Sequence, residues 1–142
     1  MPSIHEFLTP VLALVAWTLV MWFWLYATRL PAMRKYGIAP QDARHPGMYA
    51  DRIPEHVRSA AENYNHLHEQ PTIFYALMFF IALTGGNDGT ALALAWGYVA
   101  LRVVHSLVQA TVNIVVVRFM VFAIASLLLV ALTVREFLRL AA

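Results

Sequence analysis

The chain has 142 residues, of which 61% are hydrophobic and only 13% are charged. Soluble domains average about 45–50% apolar and about 25% charged residues, so this composition excludes an ordinary soluble domain and favours a membrane protein. The net charge of +2 is too small to indicate nucleic-acid binding, and the absence of cysteine excludes disulfides, thiolate metal sites and a cysteine nucleophile. Thiol chemistry would therefore need a thiol that a ligand supplies.

The first apolar segment covers residues 7–28 and contains no charged side chain. It reaches the length of about 20 residues that a helix needs to cross the hydrocarbon core of a bilayer. Trp17, Trp22 and Trp24 lie towards its second half, as is typical near a membrane interface. Arg29 and Pro31 are expected to end it. Because it lacks a basic N-terminal region and a cleavage site, we expect a retained helix rather than a signal peptide.

A polar loop is predicted over residues 29–53. Residues 29–58 hold six of the ten basic residues, namely Arg29, Arg34, Lys35, Arg44, Arg52 and Arg58. An excess of Lys and Arg is typical of cytoplasmic loops, so this loop is predicted to face the cytoplasm. A loop of this length in so small a protein indicates a functional or packed segment.

Three further helices complete the predicted architecture. The four helices are expected at residues 7–28, 54–84, 91–112 and 115–138. The second helix is polar in its first half. At about 1.5 Å per residue it is longer than the hydrocarbon core of the membrane, so its polar half should project from the membrane on the loop side. Together they predict an all-α integral membrane protein, a four-transmembrane-helix bundle that forms one domain over residues 1–142.

Polar side chains recur on one face of two of these helices. The second helix carries Arg58, Glu62, Asn65, His66 and Glu69, and the third carries Arg102, His105, Ser106 and Gln109, with Asn113 and Arg118 following. Spacings of three and four place each set within one stripe. Ionisable groups at membrane depth normally face the bundle interior and pair with one another. Ion pairs of Glu62 and Glu69 with Arg102 and Arg118 would then join the helices.

The alternative is that this polar stripe binds a ligand. Arg118 is either an arginine that extends to the interface or the partner of an anion or thiolate. Pro71 has no amide hydrogen for the Leu67 carbonyl, so a kink or a free acceptor is expected beside Glu69. His66 and His68 lie about 200° apart on a helix, and no metal site is predicted.

Two stretches carry a resemblance to a known family. NHLHEQPTIFYALMF (residues 65–79) and RVVHSLVQATVNIVVVRFMVF (residues 102–122) resemble the MAPEG family, membrane-associated proteins in eicosanoid and glutathione metabolism, and most closely its bacterial branch. The resemblance implies a homotrimer of left-handed four-helix bundles in a bacterial inner membrane. It also implies that glutathione binds between adjacent subunits, towards the cytoplasm.

The same resemblance implies roles for individual residues. Glu69 and Arg102 stand at positions that contact glutathione, and Arg118 stands at the position proposed to stabilise its thiolate. The other candidate contacts are His66, Asn65, Gln109, Glu62, His105 and Asn113. The chain departs from the enzymes of the family at three of these: Glu62 replaces an arginine, His66 an asparagine and Gln109 a tyrosine.

Two functions follow as hypotheses. The first is a glutathione-dependent transferase or peroxidase for small lipophilic electrophiles, which would enter from the membrane lipids along the apolar faces of segments one and four. The second is a non-catalytic scaffold or lipid-binding protein of the same fold, whose polar stripe serves helix and trimer packing. The first is the leading hypothesis, and the departures at Glu62 and Gln109 fit the second. A transporter is disfavoured because the two halves show no inverted repeat.

Overall fold

The computed structural model describes residues 1–45 and 47–142, so Pro46 of the predicted loop lies outside the described residues. The described chain forms five α-helices and two short 3-10 turns, at Pro40–Ala43 and Ala50–Arg52. The helices are α1 (Ile4–Lys35), α2 (Glu55–His66), α3 (Gln70–Leu83), α4 (Gly89–Ala110) and α5 (Val115–Ala141). The predicted all-α class is confirmed.

Three of these helices, α1, α4 and α5, are long and apolar enough to cross a membrane. Large apolar side chains remain exposed along their outer faces, among them Leu12, Leu19, Phe23, Leu127 and Val130. Apolar surface that extends over most of a helix face is unusual for a soluble monomer and is expected where lipid covers it. The fold therefore indicates an integral membrane protein.

The first helix is longer than predicted at both ends. It begins with a capping box, in which the Glu6 amide donates to Ser3 Oγ at 3.2 Å and the Ser3 amide donates to the Glu6 carboxylate at 2.8 Å. It then continues past Arg29 and Pro31, which were expected to end it. The loop supports this extension, because the Arg29 guanidinium lies over the Tyr49 ring and bonds its hydroxyl.

The helical segment predicted over residues 54–84 is interrupted beside Glu69, where a kink or a free acceptor was expected. The chain leaves the helix at Leu67–Glu69, so α2 and α3 are separate elements of 12 and 14 residues. Pro71 explains why α2 does not continue, since proline has no amide hydrogen to donate to the Leu67 carbonyl. Gln70 then ties the start of α3 to its neighbours: it donates to Ser126 Oγ at 2.8 Å and accepts from the Tyr98 hydroxyl at 3.3 Å.

The core lies between these helices, with α4 packed most closely on α5 and α1 packed on α2, α3 and α4. Phe74 stacks on Tyr98 at a centroid distance of 4.6 Å, and both side chains are fully buried. The bundle has two ends. The turn end holds the start of α1, the α3–α4 turn and the end of α5; the loop end holds α2, the end of α4 and the start of α5.

Candidate functional site

The buried face of α4 supplies the base of the candidate site at the loop end. Arg102, His105, Ser106 and Gln109 are all at most 3% exposed, so the predicted stripe on this helix faces the bundle interior. Asn63 of α2 meets the stripe, because its Nδ2 donates to Ser106 Oγ at 2.7 Å. The contact places α2 directly over the polar face of α4.

Arg102 is fully buried, yet its guanidinium has a single hydrogen-bond acceptor in the described chain. Its Nη2 donates to the His66 carbonyl at 3.0 Å, where the helical bonding of α2 stops. Its Nε and Nη1 find no acceptor among the described residues, and the group lies 5.6 Å from the centre of the Phe122 ring. A buried cation with free donors is costly unless an anion or another acceptor joins it.

His66 and Glu69 form a pair across the break between α2 and α3. His66 Nδ1 lies 2.6 Å from Glu69 Oε2, and the imidazole stacks on the Phe122 ring at 5.4 Å. The ring centre of His105 is 5.0 Å away. The two residues flank the turn that separates α2 from α3.

Arg118 is held at the start of α5 by an asparagine. Its Nη1 donates to Asn113 Oδ1 at 2.6 Å, and Asn113 Nδ2 donates in turn to Ser59 Oγ of α2 at 3.2 Å. Asn113 has a φ of +50°, a left-handed conformation that asparagine tolerates better than most residues. Arg118 Nε has no acceptor among the described residues. The Asn113 amide thus fixes the direction of the guanidinium.

A pocket of about 240 Å³ opens between α2, α4 and α5, and we call it the basic pocket. Its walls are His66, His105, Val115, Arg118, Phe119 and Phe122. Three of the predicted site residues therefore meet there, and apolar side chains form the remaining walls. An anionic group with an apolar neighbour fits this combination.

Other predicted site residues lie elsewhere. Glu62 and Asn65 are exposed on the outer face of α2, and 66% of the Glu69 side chain is exposed. Gln109 is buried two turns beyond Arg102, and its Oε1 lacks a partner within the described chain. No described carboxylate lies within 4 Å of Arg102 or Arg118, so the expected ion pairs with Glu62 and Glu69 do not form within the chain.

Two polar residues of α2, Ser59 and Asn63, belong to the site although the sequence reasoning missed them. Both are at most 2% exposed, on the face that also buries Val57 and Ala60. The sequence pattern could have indicated them, because Asn63 follows Ala60 by three residues and Ser59 by four, and this spacing places all three on one helix face. In the more conspicuous charged stripe of α2, Glu62 and Asn65 face outwards instead.

A second polar cluster, which the sequence reasoning also missed, lies at the turn end, and we call it the turn-end ion cluster. Glu136 is 2% exposed; it accepts from Arg135 Nη1 at 2.9 Å and from Arg139 Nε at 2.8 Å. Arg135 also binds Asp88, and Arg139 donates to the Thr84 carbonyl at 3.1 Å. These groups satisfy one another and leave no obvious place for a ligand.

An apolar pocket of about 600 Å³ lies between α1 and α4. Its walls include Ala13, Trp17, Trp96, Val99 and Val103. Access for a lipophilic substrate was expected along predicted segments one and four, whereas this pocket joins segments one and three. Its lining suits an apolar molecule.

The fold and the site together define a membrane-embedded helical bundle with a basic, anion-compatible pocket at one end. The model of the MAPEG family matches residues 7–138, so the chain belongs to the MAPEG family and the predicted resemblance is confirmed. No curated protein and no solved structure matches the chain.

Proposed function

We propose that the protein binds glutathione in the basic pocket and uses its thiol on lipophilic electrophiles, as a glutathione-dependent transferase or peroxidase. Family membership is consistent with a glutathione-related membrane function. The observation that carries the proposal is the charge at the loop end: Arg102 and Arg118 both keep unpartnered N–H groups, and no described carboxylate neutralises either. Glutathione offers two carboxylates and an ionisable thiol to such donors.

Each residue then has a defined role. Arg118 stabilises the thiolate, because a fixed positive charge favours the ionised form of a nearby thiol. Arg102 and Glu69 hold the tripeptide through charge-assisted hydrogen bonds. His66, Asn65 and Gln109 are further contacts, and Glu62, His105 and Asn113 complete the proposed set.

The second substrate would come from the bilayer. The apolar pocket between α1 and α4 and the exposed apolar faces of the bundle support a lipophilic electrophile. A hydrophobic site of several hundred Å³ is of the size that small ligands occupy. The electrophile would then react with the sulfur of the bound tripeptide.

The assembly that this function requires is a homotrimer in a bacterial inner membrane, with the 29–53 loop in the cytoplasm and the α2–α3 pair as the fourth crossing. The exposure of Glu62, Asn65 and Glu69 on the single chain supports this proposal, since another copy of the chain would cover them. Glutathione between copies would meet the same side chains.

Calorimetry with glutathione on the detergent-purified protein tests the proposal. Saturable binding at millimolar glutathione and turnover of a lipophilic electrophile are expected for the wild type. Arg118→Ala should lower turnover by about 100-fold, the usual effect of removing a donor that stabilises developing negative charge. Arg34→Ala, on an exposed residue near the end of α1, is the matched control and should change neither quantity. Absence of binding, or full turnover in Arg118→Ala, would overturn the proposal.

The second candidate function is a non-catalytic scaffold or lipid-binding protein. The outward-facing polar residues of α2 favour it, because they would serve packing between copies even without a ligand. It predicts that Glu69→Gln and Arg102→Leu disrupt the trimer, measured by light scattering in detergent, while the wild type binds no glutathione. A trimer that persists in both variants would exclude it.

A further inference from the structure

The geometry points to the His66–Glu69 pair as the base that removes the thiol proton in the basic pocket. This inference rests on the proposed function, because it needs a thiol ligand, and it adds a proton acceptor that the arginines cannot supply. An arginine remains protonated in proteins, so Arg118 stabilises a thiolate but does not take the proton.

The contact between His66 and Glu69 determines which ring nitrogen is available. A carboxylate that accepts from Nδ1 at 2.6 Å places the hydrogen on Nδ1 and leaves Nε2 as the acceptor. Nε2 forms no hydrogen bond with any described residue, and 23% of the side chain remains exposed at the pocket. Stacking on Phe122 at 5.4 Å holds the plane of the ring.

The arrangement corresponds to a catalytic triad in which the ligand thiol is the nucleophile, His66 is the base and Glu69 orients the base. The S–H bond of the thiol breaks, its proton moves to His66 Nε2, and the electron pair stays on sulfur beside Arg118. The thiolate then forms a bond to the electrophilic carbon while the leaving group departs with its bonding electrons. The imidazolium returns its proton to that leaving group or to water.

Charged and titratable groups face His66 from two neighbouring helices. Arg102 and His105 approach from α4, and Arg118 approaches from α5. Glu69 is the one described carboxylate in contact with the imidazole, and because it accepts the Nδ1 hydrogen it orients the ring. His105 shares the pocket but has no carboxylate partner in the described chain, and it is 3% exposed. His66 is therefore the better base.

The test measures turnover of chlorodinitrobenzene at saturating glutathione, together with glutathione binding by calorimetry, at about pH 6 and about pH 9. His66→Gln should lower turnover by about 100-fold at the lower pH, which is typical for the loss of a general base. The deficit should shrink to within about 10-fold at the higher pH, where the solution itself ionises the thiol. His68→Gln is the matched control; His68 is exposed and bonds the Tyr64 carbonyl, and it should match the wild type.

The outcomes separate this inference from the proposed function. If the wild type binds and uses glutathione but His66→Gln loses the same factor at both pH values, His66 acts only in structure or binding and the inference is wrong. Unchanged turnover in His66→Gln would also overturn it. If the wild type binds no glutathione at all, the proposed function fails and the inference fails with it.

Discussion

The two ends of the bundle handle buried charge in opposite ways. At the turn end, Glu136 binds two arginines at 2.8 and 2.9 Å, and Asp88 binds one of them. At the loop end, Arg102 is as deeply buried as any residue of the chain, yet two of its nitrogens have no acceptor among the described residues. The described charges of the turn-end ion cluster are paired, whereas the loop end keeps guanidinium donors without acceptors in the described chain.

This difference distinguishes a structural cluster at the turn end from the proposed binding site at the loop end. Ionisable groups in a membrane protein are normally paired, and a pair that satisfies all its hydrogen bonds joins helices. A cation that keeps free donors contributes less to stability, and it attracts an anionic ligand. The turn-end ion cluster should therefore govern stability, whereas the loop end should govern binding and turnover.

The largest effect is expected from Glu136→Leu. It would leave Arg135 and Arg139 without their shared buried carboxylate, and breaking a buried ion pair from one side costs about 3 kcal/mol or more. The free energy of unfolding, measured by denaturation in detergent micelles, should fall by that amount. Glutathione affinity should change little, and a large loss of affinity in a fully folded variant would contradict the separation of the two ends.

A smaller loss of stability is expected from Gly86→Ala. A Cβ at Gly86 would lie 2.6 Å from Glu136 Oε2 and 2.9 Å from Arg139 Nε, so the ion cluster would have to move. Overpacking of this kind costs about 2 kcal/mol. The same denaturation experiment measures it.

Gly89→Ala is the matched control for that substitution. Apart from its chain neighbours and the backbone of its own helix, no described atom lies within 4 Å of a Cβ at Gly89, and the position begins α4. Alanine there should raise stability by about 0.5 kcal/mol, because it restricts the unfolded chain. Equal losses in both variants would show that the ion cluster does not limit the space at Gly86.

The three long helices could be predicted from sequence because each contains an apolar segment long enough to cross a bilayer. The break between α2 and α3 was harder to place. Pro71 indicated a missing hydrogen bond beside Glu69, but the hydrogen bonds from Arg102 to the His66 carbonyl and from Gln70 to Ser126 join the break to other helices. The last turns of α1, past Pro31, are likewise accompanied by a tertiary contact, because Arg29 meets Tyr49, which is 20 residues away along the chain.

The candidate site shows the same division. The four polar residues of α4 share one helical spacing, so their common face was predictable. The proximity of His66 and Glu69 was also predictable, because residues three apart share a helix face. Asp88 and Arg135 are 47 residues apart, and no local pattern indicates that they meet. Local periodicity determines a face, whereas partners across helices require the tertiary fold.

A third prediction concerns Asn113, which combines a left-handed backbone with the bond to Arg118. Asn113→Ala and Asn113→Gly both remove the amide that holds the guanidinium, so both should lower turnover by about 10-fold. Alanine disfavours a φ of +50° and glycine does not, so the alanine variant should be less stable than the glycine variant by about 1 kcal/mol. Turnover with a lipophilic electrophile and denaturation in micelles measure the two effects. Normal turnover in the glycine variant would show that Arg118 needs no anchor.

The smallest effect on stability is expected from Arg102→Met, and it is the sharpest test of the comparison. Replacing a buried charge with an apolar side chain of similar length is often neutral, and here only the bond to the His66 carbonyl is lost. The free energy of unfolding should change by less than about 1 kcal/mol, and the proposed trimer should persist.

The same variant should lose affinity for glutathione by about 10-fold or more, because a charge-assisted hydrogen bond contributes about 1.5–3 kcal/mol. Arg139→Met at the turn end is the control: it removes the same charge but should destabilise the fold and leave affinity unchanged in the folded fraction. If Arg102→Met instead unfolds the protein or dissociates the trimer, the free donors of Arg102 are structural. The loop end would then serve packing as the turn end does. The scaffold function would be supported, and the proposed glutathione-dependent enzyme function would be rejected.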